Sequence, residues 1–64
     1  MRLTEFWQRM DTTFGATYSR SIATDQVLAT LGGRTVDQAL SQGEDAKAVW
    51  RAVCTAFELP SSQR

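Results

Sequence analysis

The sequence predicts an all-α fold, a compact bundle of about four short helices. Three observations lead there. Apolar residues recur at helical spacing near both ends of the chain, and no stretch shows the apolar/polar alternation of a half-buried strand. Glycines and capping residues punctuate the chain so closely that only short helices fit between them.

The first helix is expected over 4–14. Leu3, Phe6, Trp7, Met10 and Phe14 stand at i, i+3, i+4, i+7 and i+11, and at about 100° per residue they share an arc of roughly 100°. Thr4 reads as the N-cap, Glu5 suits the positive end of the dipole, and Gly15 can take the left-handed conformation beyond the C-terminus. The stretch 18–31 is helical in composition with a split face: Tyr18 and Ile22 point one way, Val27, Leu28 and Leu31 nearly the other. It either packs on two sides or breaks near 24, where Thr24 and Asp25 offer a fresh cap, and Gly32-Gly33 ends it.

Thr35-Val36-Asp37-Gln38 has the capping-box pattern, which predicts a third helix over 36–42 with Val36, Ala39 and Leu40 as its apolar edge and Gly43 as its stop. The fourth helix, 46–58, takes Asp45 as N-cap. It carries Ala46, Val49, Trp50, Val53 and Phe57 on one stripe, with Cys54 at the margin. Glu58-Leu59-Pro60 stops it, because the residue before a proline is pushed out of the α region. One domain over 1–60 and a polar tail over 61–64 result. The expected centre holds Phe6, Trp7, Met10, Phe14, Leu28, Leu31, Leu40, Trp50, Val53 and Phe57.

Composition limits the chemistry. Seven Lys plus Arg against seven Asp plus Glu leave no net charge and no long-range field to gather phosphate backbones or anionic lipid. Met1-Arg2-Leu3 runs directly into Thr4-Glu5 with no apolar leader, and no apolar run approaches a membrane span. The single Cys54 closes no intrachain disulfide, which points to a reducing, cytoplasmic setting; its place beside a core stripe makes it a packed small hydrophobe. With no histidine the chain lacks the commonest general base, the Ser-His and Cys-His pairs and the nitrogen ligands of most zinc sites. No catalytic residue, no metal site and no cofactor is expected. Glu44-Asp45 is no acid/base pair, since neighbours at a helix start diverge and Asp45 serves as cap; the dipole alone explains Asp37.

Two features compete with bland explanations. Gly32, Gly33, Arg34 and Thr35 precede a helix N-terminus and form the best candidate anion site, although a helix stop followed by a capping box accounts for the same residues. A helix-turn-helix fits poorly there: Arg34 stands where an apolar residue belongs, and no Lys or Arg lies between Val36 and Gly43. Ala48, Ala52 and Ala56 draw an i, i+4, i+8 line beside the stripe of the fourth helix, with Arg51 flanking it. They make the candidate partner surface, though helix propensity explains alanines equally well.

Three blocks of residues resemble a family of short actinobacterial proteins catalogued as a domain of unknown function. They are Met1-Arg2-Leu3-Thr4-Glu5-Phe6-Trp7, then Leu31-Gly32-Gly33-Arg34-Thr35-Val36 with Ala39-Leu40, then Val49-Trp50-Arg51-Ala52-Val53-Cys54. The likeness covers residues 1 to about 60. It implies a bacterial cytoplasmic protein, carries no assigned activity, and brings an association with the strand-exchange recombinase and its regulator, near which such proteins are often encoded.

The expected function is a non-enzymatic module that binds an unknown protein partner through the surfaces of its first and fourth helices, as a monomer or weak homo-oligomer. The alternative is a nucleic-acid-associated accessory factor in DNA recombination or repair, should Arg2, Arg9, Arg20 and Arg34 converge on one face; direct nucleic-acid binding by the neutral chain is otherwise disfavoured.

Overall fold

The apolar stripe of the first helix needs cover on two flanks, and the rest of the chain supplies it. In the computed structural model, which describes residues 1–59, α1 spans Leu3–Phe14, α2 Ala16–Asp25, α3 Val36–Ser41 and α4 Ala46–Ala56, with one 3₁₀ turn at Ala29–Leu31. The predicted tail 61–64 and the Pro60 stop lie outside the described residues. Among those described, no helix is long and apolar enough to cross a membrane.

α1 and α2 form an antiparallel hairpin around a single residue. Gly15 closes α1 through its N–H to Asp11 O (2.8 Å) and opens α2 by accepting from the Ser19 N–H (2.8 Å). Two side-chain contacts fix the hairpin: the buried Ser19 hydroxyl donates to the Asp11 carboxylate, and the Arg20 guanidinium lies 4.0 Å above the Trp7 ring. On the other flank, Phe6 meets Trp50 edge-on at 6.2 Å and Phe14 meets Phe57 at 5.2 Å. Contacts between early residues and between late residues of both helices mean that α1 and α4 run parallel, side by side.

The split face of 18–31 resolves as a break. α2 starts earlier than expected, at Ala16, and ends at Asp25, so the chain from Gln26 is not a continuing helix. Leu28 is extended and forms an isolated antiparallel bridge with Arg34, its N–H reaching Arg34 O at 3.0 Å. The cause is geometric: Ile22 and Ala23 face the core from α2, while Leu28 and Leu31 reach the same core from another side, which one straight helix cannot do. Val27, left outside, is 62% exposed. Thr24 caps nothing; its hydroxyl donates to the Asp37 carboxylate at 3.2 Å and ties α2 to α3.

The capping box forms as expected. The Thr35 hydroxyl accepts from the Gln38 N–H (3.1 Å) while the Gln38 side chain accepts from the Thr35 N–H (2.9 Å). Two other caps differ. α1 is capped by the backbone of Arg2, not by Thr4, because the ladder already starts with the Phe6 N–H on Arg2 O at 3.0 Å. Asp45 holds the N-cap position of α4, but its side chain makes no capping bond.

Both α3 and α4 end in the same hydrogen-bonded turn. Gly43 N–H to Leu40 O and Glu44 N–H to Ala39 O close α3; Glu58 N–H to Thr55 O and Leu59 N–H to Cys54 O close α4. The left-handed residue is Gly43 in the first case and Glu58, φ 53°, in the second. α4 therefore ends at Ala56, two residues short of the predicted 58, with Leu59 folded back against the core.

Phe6, Met10, Ile22, Val36, Ala39, Val49, Trp50, Val53 and Cys54 are essentially sealed from solvent. Cys54 belongs to the centre and not to its margin. Trp7, Phe14, Leu40 and Phe57, all expected at the centre, are half-buried and pack on it from outside. A domain this small has little interior, so its large rings are shared with the surface. The radius of gyration, 10.4 Å, agrees with the roughly 10–11 Å of a folded chain of this length.

Two stability outcomes follow from the turns. Gly15 sits at φ 90°, ψ 144°, a region essentially reserved for glycine, and a Cβ there would touch nothing within 4 Å. Gly15→Ala is thus a pure backbone test: it should cost about 1–3 kcal/mol, lowering Tm in a circular-dichroism melt by on the order of 10 °C, and an unchanged Tm would refute the turn geometry. Glu58→Gly removes a left-handed non-glycine residue and should raise stability by about 0.5–1 kcal/mol. Glu58→Gln controls for loss of charge beside the negative helix end, and equal melting of the two variants would exclude backbone strain at 58.

Candidate functional site

Around Gly32, Gly33, Arg34 and Thr35 the groups that would hold an anion are engaged within the chain. The Gly32 and Gly33 N–H groups donate to Ala29 O and Leu28 O, and Thr35 is occupied by the capping box. Arg34 acts as a clamp: Nε donates to Leu31 O at 2.8 Å, Nη1 to Gln42 Oε1 at 2.7 Å, and Nη2 lies 3.8 Å from the Glu44 carboxylate. It thereby joins the 3₁₀ turn to the end of α3. The helix that follows has only six residues, too short to present a strong dipole. Ala29 lies in the 3₁₀ turn, so no helix directly precedes this loop as a helix-turn-helix requires.

The alanine line of α4 is partly covered by the chain itself. Ala52 is buried, and its carbonyl accepts the Thr30 hydroxyl at 2.9 Å, which docks the 3₁₀ turn on that flank. Ala48 and Ala56 remain exposed on either side. Arg51 turns from this strip toward α1.

There it joins a different constellation. Next to the Phe6–Trp50 contact, Met1, Glu5 and Arg9 of the α1 region and Lys47, Trp50 and Arg51 of α4 line a concavity of about 270 Å³. Lys47 and Arg51 stand one helical turn apart, about 6 Å along the axis, on the same face. Arg9 faces them across the groove, held by Glu5 through Nη2–Oε2 at 3.3 Å, with the two side chains 41% and 49% exposed. A pair this wet contributes only about 0.3–0.5 kcal/mol, so Arg9 is restrained but exchangeable. Trp50 supplies an apolar floor, itself 1% exposed.

The spacing of Glu5 with Arg9 and of Lys47 with Arg51 was visible in the sequence as two i, i+4 pairs; their confrontation depends on α1 and α4 being parallel neighbours. Arg2, Arg9, Arg20 and Arg34 do not gather on one face. Arg20 lies over Trp7 on the α2 flank of α1, Arg9 lines the groove on the α4 flank, and Arg34 is bonded to the 3₁₀ turn and Gln42. Among the described residues no three His, Cys, Asp or Glu side chains come together as a metal site requires.

None of the curated proteins and none of the solved structures matches the chain. A family model described as "Protein of unknown function (DUF3046)" matches residues 1–62, spanning all three sequence blocks and all four helices, and the chain belongs to that family.

Proposed function

We propose that this chain is a non-enzymatic interaction module and that the face shared by α1 and α4 receives a protein partner. The observation that carries this is the gathering of Arg9, Lys47 and Arg51 around one concavity in which Glu5 is the single acid, on a chain with no net charge overall. Without a long-range field, recognition depends on such short-range clusters. A volume of about 270 Å³ is below the roughly 300–1,000 Å³ of pockets that enclose small molecules, and suits one or two side chains of a partner. The Cys54 thiol is sealed in the core, the buried Ser19 hydroxyl donates to Asp11, and the chain has no histidine to activate a hydroxyl or thiol. A monomeric or weakly self-associating protein of the cytoplasm is part of the same proposal.

A nucleic-acid-associated accessory role in recombination or repair is the second reading, favoured by the same three cations. It is weakened by Glu5 among them and by α3, whose first turn carries Asp37 and whose length carries no Lys or Arg.

Placing a photo-activated cross-linking residue at Ala48, exposed beside Lys47, and separately at Thr17, exposed on α2, tests the proposal in native lysate. A single adduct of defined mass from position 48 and none from 17 is the expected result. No adduct from position 48 would count against a docking face there.

A further inference from the structure

We infer that the occupant of the α1–α4 groove is an acidic segment of a partner protein, two of whose carboxylates sit on Lys47 and Arg51 while a third competes with Glu5 for Arg9. This rests on the chain being an interaction module and names the chemistry of what it binds. Lys47 and Arg51, about 6 Å apart along one helix face, match carboxylates one helical turn apart on a partner. Both arginines offer the planar fork that binds carboxylate in two hydrogen bonds.

Glu5 already shows what the groove accepts. Its carboxylate rests on Arg9 at 3.3 Å in a half-exposed pair, an internal stand-in that an incoming carboxylate replaces like for like. Trp50 decides between a peptide and a nucleic acid. With 1% of its surface exposed it presents no ring face for a base to stack on, and stacking platforms are what single-strand binding sites combine with their cations. Three cations opposed by Glu5 also fall well short of the 6–10 phosphate contacts of a protein bound to a duplex backbone. An acidic side chain needs neither feature: its carboxylate meets the cations without a ring face to stack on.

The two tryptophans make the test direct. Trp50 floors the groove, whereas Trp7 lies on the opposite flank of α1 beneath Arg20, so their indole N–H signals report binding and folding separately. The intact ¹⁵N-labelled chain is titrated with hexaglutamate, and in parallel with hexathymidylate. Hexaglutamate should shift the Trp50 indole and the Lys47 and Arg51 amides saturably, leave Trp7 in place, and weaken severalfold between about 50 and 200 mM salt. Arg51→Glu should weaken binding more than tenfold with the Trp7 signal unmoved. Glu5→Gln should tighten it about twofold, as expected when a pair worth about 0.3–0.5 kcal/mol no longer competes.

Absence of a saturable shift at low salt, tighter binding of hexathymidylate than of hexaglutamate, or weaker binding by the Glu5→Gln variant would each overturn the acidic occupant. If hexaglutamate fails while position 48 still yields its adduct, the interaction module stands and only the partner's chemistry is wrong; if both fail, both fall.

Discussion

Phe6 is the residue on which the rest of the arrangement depends. Its ring stands edge-on to Trp7 of its own helix at 5.2 Å and to Trp50 of α4 at 6.2 Å. Aromatic pairs of this geometry add about 0.5–1.5 kcal/mol beyond their area burial. In a domain with so little interior, that contact also joins the two ends of the described chain and makes α1 and α4 neighbours. Everything between them is then confined to the remaining flanks: α2 on the far side of α1, the 3₁₀ turn and α3 against α4.

The connections are compressed to match. One residue, Gly15, serves as the end of α1 and the start of α2, and α3 and α4 close with the same pair of backbone bonds. Side chains then brace what the backbone leaves loose. Arg34 ties the 3₁₀ turn to α3, Thr24 ties α2 to α3, and Thr30 ties the turn to α4. Most of the polar residues that looked like candidates for function are in this way absorbed as struts, and no buried side-chain polar atom among the described residues lacks a partner. What is not absorbed is the cationic rim of the α1–α4 groove. Arg51 and Lys47 stand exposed beside Arg9, with Glu5 as the one carboxylate among them.

Two kinds of information were unequally legible. Helices with a single apolar stripe, α1 and α4, were readable from Leu3, Phe6, Trp7, Met10 and Phe14 and from Ala46, Val49, Trp50, Val53 and Phe57, because burial on one side forces a 3.6-residue period. Thr35 and Gln38 announced the start of α3 because a capping box is closed by residues three apart. Thr4 misled as a cap, since the choice among adjacent starting points is set by which turn can pack. Cys54 and Leu40 misled about depth, since position on a stripe does not say how far a neighbouring element overlaps it.

By itself the sequence determined the helical class, the glycine stops after α1 and α3 and the absence of a net charge, all of which follow from local periodicity, backbone preference and charge count. Only the tertiary structure decided that 18–31 breaks at Gln26, that Ala52 is covered by the chain's own turn, and that two i, i+4 charge pairs confront each other across a groove. The physical reason is that each of these depends on the relative placement of helices, which is set by how distant side chains such as Phe6 and Trp50 interlock and has no signature within any local window of residues.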